Sequence, residues 1–168
     1  ITVYCLMQLN LLYHYKKYHR HHNEESLPKA ESDMNLPFVT IQLPIFNEMY
    51  VVERLIDNIV QFDYPKDKYE IHVIDDSTDE TVEITRKKVE EYKSKGLNIE
   101  QICRTDRTGY KAGALKEATK KAKGDFIAIF DADFLPRPDF LRSTMPQFEN
   151  PKVGVVQTRW EHINQDYS

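Results

Sequence analysis

The sequence of 168 residues is poor in glycine and cysteine, and each shortage excludes a class of protein. Its five glycines form neither a G-x-G-x-x-G nor a G-x-x-x-x-G-K-[ST] motif, so a glycine-rich phosphate loop is excluded. Two cysteines, Cys5 and Cys103, lie in apolar runs, which excludes a disulfide framework and fits a reducing compartment. The formal net charge of −4 argues against nucleic-acid binding.

What the sequence does contain is enough apolar side chain for one folded domain. Hydrophobic residues make up 40% of the chain and charged residues 30%. Ten tyrosines and eight phenylalanines can offset the entropy lost on ordering, which argues against intrinsic disorder. The length favours a single domain over two.

The beginning of the chain differs from the rest. Residues 1–13 are mostly apolar, and residues 14–22 add three basic side chains and no acidic one. The apolar run is shorter than the ~18–20 residues needed to cross a bilayer, but an apolar run that ends in basic residues is typical of a membrane helix emerging on the cytoplasmic side. We interpret residues 1–22 as the end of a transmembrane or interfacial helix, with an amphipathic surface helix as the alternative, and residues 23–37 as a linker.

From residue 38 onward, strand patterns alternate with helix patterns. Strands are predicted at 39–43, 71–74, 98–103, 126–130 and 153–157. Helices are predicted at 51–60, 82–95, 112–122 and 138–148, where apolar residues recur every three or four positions. Ser77 and Glu80 have the spacing of a capping box before the second helix, and the apolar run 126–130 predicts a strand buried on both faces. The alternation predicts an α/β fold with a mostly parallel sheet and helices on both faces.

Polar and charged side chains follow every predicted strand. In a parallel sheet the carboxyl ends of the strands meet at one edge, where ligands bind. In chain order these residues are Pro44, Asn47 and Glu48; Asp75 and Asp76; Arg104, Arg107 and Lys111; Asp131 and Asp133; and Gln157, Arg159 and Trp160. Carboxylates gathered at one edge repel one another, so they indicate a cation or a hydrogen-bonding ligand.

Asp131 and Asp133 are the candidate metal ligands. In an extended segment, residues i and i+2 point the same way, so both carboxylates would face one ion. Carboxylate oxygens suit Mg²⁺ or Mn²⁺, with water and phosphate in the remaining positions. The alternative is an aspartate that caps a helix beside a solvated one.

A cationic turn precedes the predicted helix at 112–122. Residues 104–123 carry seven basic side chains against two acidic ones, and Arg107 and Lys111 lie where the helix opens. A helix N-terminus offers free N–H groups and a favourable dipole to an anion, so these cations indicate a phosphate.

Asp75 and Asp76 then require a separate role. A carboxylate at a strand end can accept hydrogen bonds from a base or from ribose hydroxyls; the alternative is a favourable charge at the start of the next helix. Taken together, the acid pairs and the cationic turn describe a site for a metal-bound nucleoside diphosphate that carries another group.

Five segments of the chain, PIFNE (44–48), VIDDS (73–77), YKAGAL (110–115), FDAD (130–133) and VQTRW (156–160), stand in a recognisable order. This ordered set resembles family 2 glycosyltransferases, in particular the processive cellulose synthase-like glucan and mannan synthases. The resemblance implies that residues 38–168 form the nucleotide-sugar-binding part of a GT-A domain. It also implies transfer of a hexose from a UDP- or GDP-sugar, with inversion and a divalent metal (Mg²⁺ or Mn²⁺), to build a β-linked polysaccharide.

The resemblance also implies roles for single residues. Asp76 contacts the nucleoside, Lys111 contacts the diphosphate and Asp133 binds the metal. The residues expected to bind the donor are Pro44, Asn47, Glu48, Asp75, Asp76, Arg107, Lys111 and Asp131, and those expected at the metal are Asp131 and Asp133.

Two motifs of the family are not found in this sequence. The family's catalytic base lies in a Thr-Glu-Asp motif, and a Gln-x-x-Arg-Trp motif binds the growing glycan; neither occurs before Ser168. Gln157 and Trp160 are one residue too close for the second motif and are expected only near the acceptor side. The implied partners are a nucleotide-sugar donor, a growing polysaccharide and a membrane, and we expect this chain to bind donor but to transfer poorly.

Two rival functions stay open at this point. Asp75 and Asp76 after a strand are also typical of a phospho-accepting receiver domain, but that reading needs a lone aspartate after the third strand, whereas Asp131 is paired and follows the fourth. The second rival is a non-catalytic nucleotide-binding module.

Overall fold

The structure is a computed structural model in which residues 2–19 and 33–158 are described. The helices are α1 (Thr2–His19), α2 (Val52–Ile59), α3 (Thr81–Ser94), α4 (Tyr110–Thr119) and α5 (Phe140–Thr144), with short 3₁₀ helices at Asp33–Asn35 and Met145–Glu149. The strands are β1 (Val39–Ile45), β2 (Tyr69–Asp75), β3 (Ile99–Cys103) and β4 (Phe126–Ile129). Strands and helices alternate from β1 to α5, which confirms the predicted α/β class.

The four strands form one parallel sheet in the order β3-β2-β1-β4. The register aligns Ile45, Asp75 and Cys103, the last residues of three neighbouring strands. β4 pairs with β1 from Val39 to Gln42. Because every pair is parallel, the loops that follow the strands all leave from the same edge of the sheet.

Helices cover both faces of the sheet. On one face, Ile41 of β1 belongs to a buried cluster with Leu55 of α2 and Val89 of α3. On the other face, Ile74 of β2 packs with Ala118 of α4 in a second cluster. Successive strand residues point to opposite faces, so these two clusters lie on opposite sides of the sheet.

The prediction that 126–130 is a strand buried on both faces is wrong. β4 ends at Ile129, and Ile127 and Ile129 are 39% and 49% exposed. Phe126 and Ala128, which alternate with them, pack against the core. Within the described part of the chain β4 is an edge strand, and α4 packs on β1 and β2. A continuous apolar run therefore did not require two covered faces.

The predicted strand at 153–157 is also wrong. A hydrogen bond from the Val153 N–H to the Asn150 carbonyl (2.9 Å) closes a turn, and the segment after it pairs with no strand among the described residues. Val155 is 82% exposed. β-branched side chains favour extended backbone, but a strand also needs a partner, which a local pattern does not supply.

The predicted capping box is wrong because Ser77 is used elsewhere. Its Oγ accepts a hydrogen bond from the Asn47 N–H (2.9 Å). α3 begins after Glu80, which makes no side-chain capping bond, and Asp79 Oδ1 instead accepts the Thr81 N–H (3.0 Å). Ser77 thus connects the loop after β2 to the loop after β1.

The N-terminal helix α1 presents its side chains to solvent. All residues from 3 to 17 are exposed, and Leu6, Leu9 and Leu11 are each 61% exposed. None of the described helices is both long enough and apolar enough to cross a membrane. Of the predicted linker, residues 23–32 lie outside the described residues.

Candidate functional site

The loops after β1 and β2 are joined at the carboxyl edge of the sheet. The Asp76 N–H donates to the Ile45 carbonyl (3.1 Å), and Asn47 Oδ1 accepts the Thr78 N–H (2.9 Å). Asn47 adopts φ = 55°, in the left-handed region that asparagine tolerates better than most residues. Together with the Ser77–Asn47 bond, these contacts fix Asn47 beside Asp75, which ends β2, and Asp76, which follows it.

Pro44 and Glu48 lie at the end of β1 and just beyond it. β1 continues past its predicted end and through Pro44 to Ile45. Proline is tolerated here because β4 pairs with β1 only as far as Gln42, so one side of the strand is free of a ladder at Pro44. Glu48 is exposed, and its carbonyl accepts two N–H groups of the turn that begins α2.

The carboxylates of Asp75 and Asp76 are bound within the protein. The residues are 2% and 7% exposed. Asp75 accepts the Ser77 N–H (2.9 Å) at Oδ1 and the Gln101 Nε2 (2.8 Å) at Oδ2. Asp76 accepts Arg104 Nε at Oδ1 (2.9 Å) and Arg104 Nη2 at Oδ2. Charges this deeply buried are tolerated because each is paired or hydrogen-bonded.

Gln101 is a functional candidate that was not predicted from the sequence, and Arg104 was predicted only to follow the third strand. Its hydrogen bonds to Asp76 raise the pKa of the guanidinium above its usual value. The signal for Arg104 in the sequence was its position directly after a strand, the position that Asp76 occupies after β2.

Lys111 and Asp131 meet at the same edge. Lys111 lies in the first turn of α4, and its Nζ donates to Oδ1 of Asp131, two residues after β4. Both side chains are about half exposed, at 52% and 44%. An exposed ion pair of this kind contributes about 0–1 kcal/mol, so a ligand can open it at little cost. The structure therefore brings the cationic turn to the acid pair.

The segment 131–133 is a turn and not the extended segment predicted from the sequence. The Phe134 N–H donates to the Asp131 carbonyl (3.0 Å). The argument that residues i and i+2 point the same way is therefore wrong here. Asp133 is exposed, and its carboxylate has no hydrogen-bond or ion-pair partner among the described residues.

The candidate metal ligands offer few protein donors. Across residues 2–19 and 33–158, no group of three or more His, Cys, Asp or Glu side chains is arranged to hold a metal. Two accessible carboxylates, Asp131 and Asp133, nevertheless fit a cation such as Mg²⁺, which is commonly bound through one or two carboxylates plus substrate phosphates and water.

Arg107, in the turn before α4, lies against an aromatic side chain from the loop after β1. Its guanidinium carbon is 3.5 Å from the ring centroid of Phe46 and 5.8 Å from the ring centroid of Tyr110. Phe46 was not among the site residues predicted from the sequence. Gly109 and Tyr110 have φ of 78° and 48°. A left-handed conformation at a tyrosine costs about 1–3 kcal/mol and is most often retained at functional sites.

Of the residues predicted on the acceptor side, only Gln157 lies in the described part of the chain. Gln157 is exposed and has no hydrogen-bond or ion-pair partner in the described part of the chain. Trp160 and Arg159 lie outside the described residues.

The parallel sheet with helices on both faces and a charged carboxyl edge is the architecture expected of a GT-A domain, and the comparison with solved structures shows that fold. The structure superposes on the mannosyltransferase PcManGT from Pyrobaculum calidifontis, solved in complex with GDP-Man and Mn²⁺, with a TM-score of 0.70. The two chains are 33% identical, and the match covers 86% of this chain and 41% of that one. The family described as "Glycosyl transferase family 2" matches residues 40–168. The chain therefore belongs to glycosyl transferase family 2.

Two curated relatives are plant enzymes named as mannosyltransferases. Glucomannan 4-beta-mannosyltransferase 2 of Arabidopsis thaliana is 41% identical over 150 residues, which is 86% of this chain and 27% of the relative. Glucomannan 4-beta-mannosyltransferase 1 of Cyamopsis tetragonoloba is 39% identical over 156 residues, covering 90% of this chain and 30% of the relative. The chain thus spans less than a third of these relatives, and its family excludes the receiver-domain alternative.

Proposed function

We propose that this chain is the donor-binding part of an inverting glycosyltransferase that uses a GDP- or UDP-hexose and a divalent metal to build a β-linked polysaccharide. The observation that carries the proposal is the meeting of Lys111, Asp131 and the Asp76–Arg104 pair at one sheet edge. GDP-mannose is the favoured donor, since both relatives are named as mannosyltransferases and the Pyrobaculum calidifontis structure holds GDP-Man.

The nucleoside is proposed to bind at the loops after β1 and β2. A carboxylate has about four lone-pair sites, and Arg104 uses two of those on Asp76, which leaves others for a base N–H or a ribose hydroxyl. Pro44, near the end of β1, and Asn47 and Glu48, in the loop after it, are proposed to line the same nucleoside site. Asp75 supports this arrangement through its bonds to Ser77 and Gln101.

The diphosphate is proposed to bind at the first turn of α4. Lys111 exchanges Asp131 for a phosphate oxygen, and Arg107 adds a second positive charge beside the helix N-terminus. This exchange frees the Asp131 carboxylate, which together with Asp133 would hold Mg²⁺ or Mn²⁺. When bound, the ion neutralises charge on the leaving diphosphate.

The acceptor half of the reaction is proposed to need residues beyond those described. The acceptor hydroxyl attacks the anomeric carbon, the bond from that carbon to the diphosphate breaks, and a carboxylate base takes the hydroxyl proton. That base belongs to the Thr-Glu-Asp motif of the family, which does not occur in residues 1–168. Gln157 and Trp160 are proposed on the acceptor side.

Residues 1–22 are proposed to contact a membrane, with the catalytic domain, residues 38–168, on its cytoplasmic side and residues 23–37 as the linker. The exposed leucines of α1 support the proposal, because such a surface is stabilised when it leaves water. Lys16 and Lys17 follow the apolar stretch, as the positive-inside pattern requires.

Titration calorimetry with a matched pair of variants tests the donor site. We expect GDP or UDP to bind in the presence of Mg²⁺ or Mn²⁺ and to lose most of its affinity on chelation. Asp133→Asn should weaken metal-dependent binding by roughly tenfold or more, the value of a lost charged ligand. Asp125→Asn, which alters an exposed aspartate at the opposite end of β4, should leave binding unchanged. Nucleotide affinity that ignores chelation and survives loss of both Asp131 and Asp133 contradicts the proposal.

A further inference from the structure

Arg104 lies between the two halves of the proposed donor site. Its side chain is only 10% exposed. Through Nε and Nη2 it binds both carboxylate oxygens of Asp76, at the end of β2. Through Nη1 and Nη2 it also donates to the carbonyls of Thr108 (3.2 Å) and Tyr110 (3.1 Å), in the turn that opens α4. One guanidinium therefore links the proposed nucleoside contact to the proposed diphosphate turn.

The turn is built around this guanidinium. Asp106 accepts the Thr108 N–H (3.0 Å) and hydroxyl (2.6 Å), which bends the chain back toward Arg104. Gly113 packs closely here: a Cβ at this position would lie 2.1 Å from the Thr108 carbonyl oxygen and 3.0 Å from Arg104 Nη1. The absence of a side chain at Gly113 therefore lets α4 approach the arginine.

Only an arginine has the donors that this arrangement uses. Its planar fork matches a carboxylate with two parallel hydrogen bonds, and its remaining N–H groups reach the two carbonyls. A lysine at position 104 could keep the charge but could not hold the carboxylate plane and both carbonyls at once. The orientation of Asp76 and the path of the turn before Lys111 are thus set by the same side chain.

We propose that Arg104 is a positioning residue that couples the nucleoside end of the donor site to its diphosphate end. The inference rests on the proposed function, because it takes Asp76 as the nucleoside contact and the first turn of α4 as the diphosphate contact. It follows that loss of Arg104 weakens binding at both ends, whereas loss of Asp76 or Lys111 weakens one end each.

Calorimetry with three probes separates the two ends. The probes are GDP, GMP (which keeps the nucleoside and lacks the second phosphate) and pyrophosphate, each with Mg²⁺. Arg104→Gln should weaken GMP and pyrophosphate by at least about tenfold each. Asp76→Asn should weaken GMP and spare pyrophosphate, and Lys111→Met should do the reverse. Arg86→Gln is the matched control, since Arg86 is an exposed arginine on α3 that pairs with Glu83 and Glu90.

Several outcomes overturn the inference while leaving the proposed function intact. One is an Arg104→Gln protein that weakens only GMP, or neither probe, although the wild type binds both. Another is full recovery of both affinities by Arg104→Lys, which would show that charge suffices. If Arg104→Gln does not fold by circular dichroism, Arg104→Lys decides alone: it should still weaken both probes. A wild-type protein that binds neither nucleotide nor pyrophosphate contradicts the proposed function itself.

Discussion

Lys111 and Asp131 form an ion pair between the first turn of α4 and the loop after β4, although 20 residues separate them in sequence. The pair joins β4 to α4, the helix that packs on β1 and β2, at the carboxyl edge of the sheet. The ion pair also competes with the proposed ligands, because in the proposed site the Asp131 carboxylate binds the metal and the Lys111 amine binds the diphosphate.

This competition predicts opposite effects of one substitution on two ligands. Lys111→Met should strengthen binding of Mn²⁺ alone, by up to about fivefold, because an exposed pair of up to about 1 kcal/mol no longer holds Asp131. The same substitution should weaken binding of Mg²⁺-GDP, because the diphosphate loses a cation. Electron paramagnetic resonance of free Mn²⁺ measures the first effect, and calorimetry the second.

Lys116 provides the matched control for this prediction. It lies on α4 with an exposed side chain, five residues beyond Lys111. Lys116→Met makes the same change in overall charge but leaves the Asp131 pair in place, so neither affinity should change by more than about twofold. Equal effects of the two substitutions would mean that net charge, and not the Lys111–Asp131 contact, governs both equilibria.

Close packing around Gly124, which lies just before β4 and at the end away from Asp131, predicts that a larger residue there destabilises the fold. A Cβ at this position would lie 2.3 Å from the Thr40 N and 2.6 Å from the Phe126 carbonyl oxygen, both backbone atoms that cannot move aside cheaply. Gly124→Ala should therefore reduce the free energy of unfolding by about 1–3 kcal/mol, the range for overpacking. Urea denaturation followed by circular dichroism measures the change.

Gly154→Ala is the comparison for Gly124→Ala. Nothing lies within 4 Å of a Cβ built on Gly154, and its φ is not left-handed. The free energy of unfolding should therefore stay within about 0.5 kcal/mol of the wild-type value, as for most surface substitutions. A larger loss at Gly154 than at Gly124 would contradict the packing described around β4.

The strands and helices that form the covered part of the sheet could be predicted from the sequence. β1 and β2 are rich in β-branched residues, and Leu55, Ile56 and Ile59 form a stripe with helical spacing. Both strands and this stripe are buried almost throughout in the structure. In these segments the local pattern and the tertiary packing favour the same conformation. The parallel sheet then followed from the alternation of strands and helices, and with it the edge at which both Asp76 and Lys111 lie.

The errors fall where a segment's environment is set by distant residues. The residues at 153–157 have a strand pattern, but that pattern does not reveal whether another strand pairs with them, and none of the described strands does. Likewise, the apolar side chain of Ile127 does not reveal that α4 packs on β1 and β2 and leaves this face of β4 exposed. Ser77 has a capping residue's spacing but is used by Asn47, 30 residues away. Arg104 was underrated because its partner Asp76 lies 28 residues away, and spacing alone does not reveal such a pair.

Two tyrosines predict a loss of stability at high pH. Burial raises the pKa of Tyr64 to about 12, partly offset by the charge of Arg142. Burial and a hydrogen bond to Asp57 raise the pKa of Tyr92 to about 12. Unfolded tyrosines titrate near pH 10, so between about pH 10 and pH 12 the folded state binds more protons than the unfolded state. The stability they contribute is complete below pH 10 and is lost as the pH rises through this window.

Absorbance at 295 nm, which reports tyrosinate, tests this prediction together with urea denaturation. Tyr64→Phe and Tyr92→Phe should each remove part of the late-titrating absorbance and reduce the slope of unfolding free energy between pH 10 and pH 12. Tyr50→Phe removes a ring that is 90% exposed and should leave that slope as it is. A slope that is the same in all three variants would contradict the assignment.

We expect the carboxylates of the candidate site to change the pKa of the thiol of Cys103, the last residue of β3. Cys103 is exposed, but its thiol is partly shielded from water; this shielding raises the thiol pKa above its usual value, and the negative charges of Asp75 and Asp76 raise it further. In a Cys5→Ser background, alkylation by iodoacetamide should therefore reach half its maximal rate at a higher pH than in the urea-unfolded chain, because the thiolate is the reacting form.

Asp76→Asn should shift that alkylation midpoint to lower pH, because it removes a negative charge and leaves the positive charge of Arg104 nearby. Burial is the larger cause, so the midpoint should stay above that of the unfolded chain. Asp79→Asn, two residues beyond Ser77 and exposed, should not move it. A midpoint that is lower in the folded chain than in urea would show that Arg104 outweighs both burial and the two carboxylates, and would reverse the electrostatic balance assigned to this edge of the sheet.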